Sequence, residues 1–108
     1  MRSFASLRRR GDFSRLRRQG RRIASNLLTV YRADAASGQT LVGISTGRAL
    51  GGAVTRNRVR RRILAILDEL SRNGGLPKRL LIEARTSAAN ARFDQLRNEL
   101  RKAVAVTR

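Results

Sequence analysis

The sequence predicts a mixed α+β fold built as a single domain. Three observations carry this. Val59, Ile63, Ile66, Leu67 and Leu70 recur at the spacing of one helix face. Three separate runs, 23–32, 40–46 and 79–85, are rich in β-branched and other apolar residues. Gly20, Gly74, Gly75 and Pro77 punctuate these stretches where helices are expected to stop.

Taken in order, residues 1–11 form a basic lead-in, flexible at its start. Asp12 is placed to cap a short helix from Asp12 to Gln19, with Phe13 and Leu16 on one face and Gly20 as its stop. Ile23 to Arg32 reads as a strand, Asp34 to Gln39 as a turn and Thr40 to Thr46 as a second strand, the two joined as a hairpin. An additional short strand before Ile23 is allowed but cannot be placed. Gly47 to Gly52 is a glycine-bearing loop, after which Thr55 caps the long helix. Arg79 to Arg85 reads as a central strand parallel to its predecessor across the helical crossover. Thr86 to Asn90 is a loop. Phe93, Leu96, Leu100, Ala103 and Val104 mark the core face of a last helix. The order is helix, strand, strand, helix, strand, helix.

Composition narrows the function. The 108 residues carry 25 basic and 7 acidic side chains, a net charge of +18. Of the basic residues only Lys78 and Lys102 are lysines. Arginine presents a planar fork to phosphate and stacks on bases, although a GC-rich genome would also favour it. With no cysteine there is no disulfide, thiolate metal site or cysteine nucleophile. With no histidine the commonest general base is missing. No apolar run reaches the length of a membrane span, and the basic start lacks the apolar stretch of a secretory signal. The expectation is a cytoplasmic protein.

The densest charge lies in Gly51–Arg62, GGAVTRNRVRRR, where Arg56, Arg58, Arg60, Arg61 and Arg62 lead directly into the apolar-periodic helix. Helix N-termini already favour anions through free N–H groups and the dipole. Arginines stacked there repel one another, and a polyanion that neutralises them is the natural partner. Arg58 and Arg62 flank the apolar stripe, where they pair with Glu69 or cover core. Asp68 and Glu69 are adjacent carboxylates that point apart on a helix and balance charge; no metal site is expected.

With these residues placed, the chain resembles the bacterial ribonuclease P protein subunit. That family carries a motif of the form KKxGxAVxRNRxKRxxRE entering its central helix. Gly51, Ala53, Val54, Arg56, Asn57, Arg58, Arg60 and Arg61 match it, as do Asp12, Phe13 and Gly20, Tyr31, and Ala84 with Arg85 in the outer blocks. Arg48 matches the first lysine, whereas Ala49, Leu64 and Ala65 depart from the pattern. Arg17 stands where many members have a second aromatic.

The resemblance implies a two-layer α/β sandwich: three helices on an approximately four-stranded sheet, as in a ribosomal protein domain, with a left-handed β-α-β crossover where the usual rule is right-handed. It implies a subunit of ribonuclease P that binds the catalytic RNA and precursor tRNA and assists removal of the 5′ leader, with Mg2+ held mainly by the RNA and no catalytic residue on this chain. RNA contact falls to Arg48, Arg56, Asn57, Arg58, Arg60 and Arg61, and a leader-binding cleft to Phe13, Tyr31 and Arg17. Neither DNA nor a membrane is an expected partner. A ribosomal-type structural RNA-binding protein fits the composition equally well. A DNA-binding regulator lacks its short preceding helix and tight turn, and a nuclease acting alone lacks a base.

Overall fold

The computed structural model describes residues 4–34, 38–73 and 75–105. Five strands form one sheet: β1 (Phe4–Ser6), β2 (Arg21–Ala24), β3 (Leu28–Ala33), β4 (Thr40–Thr46) and β5 (Arg79–Ala84). Their spatial order is β1-β4-β5-β3-β2. The helices are α1 (Arg10–Gln19), α2 (Ala53–Asn73) and α3 (Phe93–Val104), with short 3-10 turns at Arg48–Leu50 and Thr86–Asn90.

β5 takes the centre because it is apolar on both faces. Leu80, Leu81 and Ile82 are each fully buried. Leu80 and Ile82 join the core shared with Val59, Ile63, Ile66 and Leu67 of α2 and Leu96 and Leu100 of α3. Leu81 turns the other way, to Leu16 of α1 and to Leu7. The expected two-layer sandwich is therefore the sheet with α2 and α3. α1 lies across the opposite face and covers part of it.

β5 pairs parallel with β4 and antiparallel with β3. The expected parallel pairing across the α2 crossover is present, and β5 is central as expected. The expected hairpin between 23–32 and 40–46 is not, because β5 lies between those strands. The run Ile23–Arg32 is also not one strand. It breaks at Ser25–Leu27, where the Ser25 N–H donates to Leu28 O at 2.8 Å and the Ser25 hydroxyl donates to the same oxygen at 3.1 Å. Serine and asparagine favour such turns by bonding locally to the backbone. The hairpin that does form joins β2 to β3, with Arg22 opposite Tyr31. Of the turn expected at Asp34–Gln39, residues 35–37 lie outside the described residues.

Other boundaries shift for local reasons. β1 runs parallel to β4 and buries Phe4, so the basic lead-in contains the strand that could not be placed. α1 starts at Arg10 with Arg9 as its N-cap; Asp12 lies in the first turn, where its charge suits the helix dipole. Gly20 does close α1, and a Cβ there would stand 2.6 Å from Leu16 O. α2 starts at Ala53, so Thr55 is inside the helix. Gly75 follows α2 at φ 83, a left-handed geometry that suits glycine, while Gly74 lies outside the described residues. Phe93, expected in the core, is 42% exposed at the first position of α3; the buried face starts at Leu96.

Two arginines lock α3 in place. Arg97 clamps Glu69 of α2, its Nε 3.0 Å from Oε2, and this guanidinium holds the Glu69 carboxyl below its usual range. Arg32 of β3 is only 3% exposed. Its Nη1 donates to Ala103 O at 3.0 Å and Ala105 O at 2.6 Å, and its Nη2 meets Asp34 Oδ1 at 2.9 Å. A cation thereby caps the C-terminus of α3, where carbonyls lack helical partners. Arg32→Met would keep the bulk and strip these carbonyls of their donor. The expected loss is about 1–3 kcal/mol of stability, read as a lower urea midpoint with an unchanged slope.

Candidate RNA interface

Arg48 and the candidates on α2 gather at one end of the sheet. β4 and β5 both finish there, with Thr46 beside Ala84, and β3 begins there, with Leu28 beside the same Ala84. The chain leaves β4 through the turn carrying Arg48, which is exposed, while Leu50 is buried beneath it. Gly51 at φ 138 then makes the corner into α2. The N-terminus of α2 and its arginines therefore emerge at this end.

Helical phase divides those arginines into three groups. Arg58 and Arg62, four apart, reach sideways: Arg58 Nη2 donates to Ala89 O at 3.2 Å and Arg62 Nη1 to Ala91 O at 3.1 Å. They tie α2 to the second 3-10 turn and do not pair with Glu69. Arg60 reaches back to the end of β4, its Nη2 2.8 Å from Thr46 Oγ1. Arg56, one turn earlier on that side, has a buried Nε without a partner among the described residues; with Arg60, Asn57 and Thr46 it lines a recess of about 210 Å3. Asn57 and Arg61 are exposed and make no hydrogen bond among the described residues. Val54, 78% exposed, shares their face.

The candidate cleft residues lie on the opposite face, beside α1. Gly43 of β4 lets α1 come close: a Cβ there would stand 2.7 Å from Phe13 Cε1 and 3.3 Å from Leu7 Cδ2. Phe13 and Tyr31, both half-buried, pack around Leu16 and Leu81. Arg17, one turn beyond Phe13, reaches down to β5, its Nε 2.8 Å from Glu83 Oε2. Phe13, Tyr31 and Arg17 are thus brought together. Sequence reading missed Glu83, which it left within a strand; the signal was its odd-numbered register with Leu81, on the face α1 only partly covers. Arg85 continues at the same end, its Nη1 2.9 Å from Ser25 O.

The cleft group and the α2 group therefore occupy opposite faces: Tyr31 and Phe13 stand at mid-sheet, beside Leu81 and Gly43, with Arg17 reaching Glu83 toward the end where α2 starts. The carboxylates are dispersed: Asp34, Asp68, Glu69, Glu83 and Asp94 each pair with an arginine, and Glu99 accepts the Leu27 N–H at 2.9 Å. Among the described residues no three metal-ligating side chains converge, and no helix is long and apolar enough to cross a membrane.

Comparison with known proteins fits this arrangement. A family model described as Ribonuclease P matches residues 1–108. The ribonuclease P protein component of Acidothermus cellulolyticus is 39% identical over 97 residues, spanning 86% of this chain and 79% of that protein. That of Thermobifida fusca is 37% identical, spanning 94% of this chain and 76% of the relative. The structure of the Staphylococcus aureus RNase P protein superimposes with a TM-score of 0.76 at 26% identity, covering 90% of this chain and 89% of that one.

The division of the arginines has a direct consequence for stability. Arg62→Ala would free the Ala91 carbonyl and uncover the α2 flank, at an expected cost of about 1 kcal/mol. Arg61→Ala should stay within about 0.5 kcal/mol of the parent. Thermal unfolding of the two variants side by side checks both values.

Proposed function

The chain belongs to the bacterial ribonuclease P protein family, and on that premise we propose how its two surfaces divide the work of the holoenzyme. It is the protein component of an RNA-processing enzyme that matures the 5′ end of tRNA. Membership in this family replaces the ribosomal-type alternative that composition left open.

In this reading the start of α2 binds the catalytic RNA. Arg56, Asn57 and Arg61 supply the outward contacts, with Arg48 beside them; Arg58 and Arg60 contribute field while already holding protein oxygens. Arginine forks match phosphate bidentately, and the amide dipoles of the helix start add to the potential. The cleft beside α1 receives the single-stranded leader of precursor tRNA. Tyr31 and Phe13 offer faces on which any base stacks, worth about 1–3 kcal/mol per base. Stacking ignores base identity, which suits leaders of varied sequence. Arg17, steadied by Glu83, adds a cation where many relatives place a second aromatic ring. The observation that carries this reading is that an arginine-rich helix start and an aromatic-lined cleft flank opposite faces of the same small sheet.

Cleavage is assigned to the RNA. The chain has no histidine or cysteine to act as base or nucleophile, and five of its seven carboxylates are paired with arginines. Mg2+ belongs mainly to the RNA, and the complex works in the cytoplasm.

Two experiments test these assignments. Precursor tRNA is incubated with a bacterial ribonuclease P RNA at low magnesium, with and without the protein. Strong stimulation that requires the RNA supports the reading; tight RNA binding without stimulation sinks it. Tyr31→Ala should weaken precursor binding by roughly 5-fold to 150-fold, the equivalent of one lost stack, and leave mature tRNA binding nearly unchanged. Equal losses on both would make Tyr31 a packing residue.

A further inference from the structure

Phe93 is the one aromatic side chain that the fold leaves in the open. Phe4 is buried and Phe13 and Tyr31 are half-buried, whereas Phe93 is 42% exposed at the first position of α3. It lies on the flank of α3 that meets α2. Two residues before it, Ala91 O accepts from Arg62 of α2. Four residues after it, on the same flank, Arg97 clamps Glu69 of α2. Phe93 thus stands between two ties, beside the stretch of α2 from Arg62 to Glu69. The outward residue of that stretch is Ala65, which is exposed and carries only a methyl group. The motif resembled by this helix has Glu at that position, so the seam lacks both the bulk and the negative charge a glutamate would bring. Arginines frame the ring. Arg58 Nη2 donates to Ala89 O and Arg62 Nη1 to Ala91 O, while Arg92 holds Asp94 and Arg97 holds Glu69. Arg61, one turn before Ala65, is exposed and makes no hydrogen bond among the described residues. Five cations therefore stand against two carboxylates. Each tie fixes a guanidinium without using all of its N–H groups, and a fork already fixed loses less entropy when it meets a phosphate.

We propose that this seam between α2 and α3 is a stacking site for an unpaired nucleotide of the catalytic RNA, with Phe93 as its platform. The RNA surface then runs from the start of α2 onto α3. The proposal rests on the reading of α2 given above. A nucleotide turned out of an RNA helix brings a flat base with a phosphate on either side. The ring meets the base, and the fixed forks of Arg58 and Arg62, with Arg61 next to them, meet the phosphates. The catalytic RNA is the partner because the seam adjoins Arg61 on the α2 face of the sheet, whereas the cleft beside α1 opens on the other face. An acidic protein segment is the other partner that such charge attracts. It would engage the forks, but a bare ring set among guanidinium groups matches the alternation of planar base and phosphate more closely.

The chain has no tryptophan, so Phe93→Trp places a single such fluorophore in the seam. Its emission should be quenched when the full-length protein assembles with a bacterial ribonuclease P RNA, and later addition of precursor tRNA should leave it unchanged. Phe93→Leu keeps an apolar side chain but cannot stack. Its affinity for the catalytic RNA should fall roughly 5-fold to 150-fold, while Phe93→Tyr retains the parent affinity and both keep the parent urea midpoint. Arg61→Ala serves as the reference for the α2 reading. Weaker binding by Arg61→Ala with unaltered binding by Phe93→Leu overturns the seam and leaves the α2 reading standing. So does unquenched emission from bound Phe93→Trp protein. Unaltered binding by both Arg61→Ala and Phe93→Leu overturns both readings. A loss shared equally by Phe93→Leu and Phe93→Tyr, or matched by a lower urea midpoint, makes Phe93 a packing residue and overturns the proposal. Quenching that starts only when precursor tRNA joins assigns the ring to the substrate and overturns it as well.

Discussion

The arrangement depends on β5 being buried on both faces. A strand with Leu80, Leu81 and Ile82 all withdrawn from water needs cover above and below and a neighbour on each side. The neighbours are β4 and β3, so two strands consecutive in sequence are separated by the one made last. The covers are α2 with α3 on one face and α1 on the other. Because β4 and β5 are parallel, the chain must travel back along the sheet between them, and α2 is that return. Its N-terminus consequently stands where the strands end. The anion-attracting end of the longest helix and the arginines written into it stand at the end of the molecule where β4 and β5 finish for this topological reason.

The arginines are not one uniform field. Arg32, Arg58, Arg62 and Arg97 spend their forks on protein oxygens, capping α3, tying α2 to the second 3-10 turn and clamping α2 to α3. With few aromatics and no disulfides, the fold uses guanidinium groups to satisfy carbonyls at element ends, a task for which several fixed donors are well suited. Among the described residues, Arg8, Arg48, Arg56 and Arg61 make no such bonds. Identical side chains thus serve as internal fasteners or as outward cations according to helical phase and the nearness of a carbonyl.

Much of this was legible in the sequence, and the failures have definite causes. The face of α2 and the buried face of α3 could be read because period and length agreed. β5 could be read because a short apolar run after a glycine–proline stop suits a central strand. The β2–β3 hairpin was hidden because Ser25 and Asn26 interrupt an otherwise plausible strand without glycine or proline. The pairing of β3 with β4 was wrong because sequence adjacency was given more weight than the apolarity of β5, which competes for both. Phe93 looked like core because it is aromatic and in phase, yet a first-turn position lies beyond the edge of the packed layer. At the site, Arg56 to Arg62 were legible as a cluster, but their division required knowing where Thr46, Ala89 and Ala91 come to lie. Glu83 escaped notice because a lone carboxylate in a strand means little until α1 is placed over it.

The division between fasteners and outward cations also sets how the molecule answers to salt. A net charge of +18 on 108 residues makes the free protein repel itself, and added salt relieves that repulsion. The same salt weakens any contact made by counterion release to RNA. Short internal bonds such as Arg32 to the α3 carbonyls are shielded by burial and respond least. Fold stability and RNA affinity should therefore move in opposite directions across the same salt series. The partner RNA does for the folded chain what salt does, supplying the negative charge this surface lacks. Neutralisation by RNA is thus linked to the stability of the chain as well as to its function, and the bound protein should be harder to unfold than the free one.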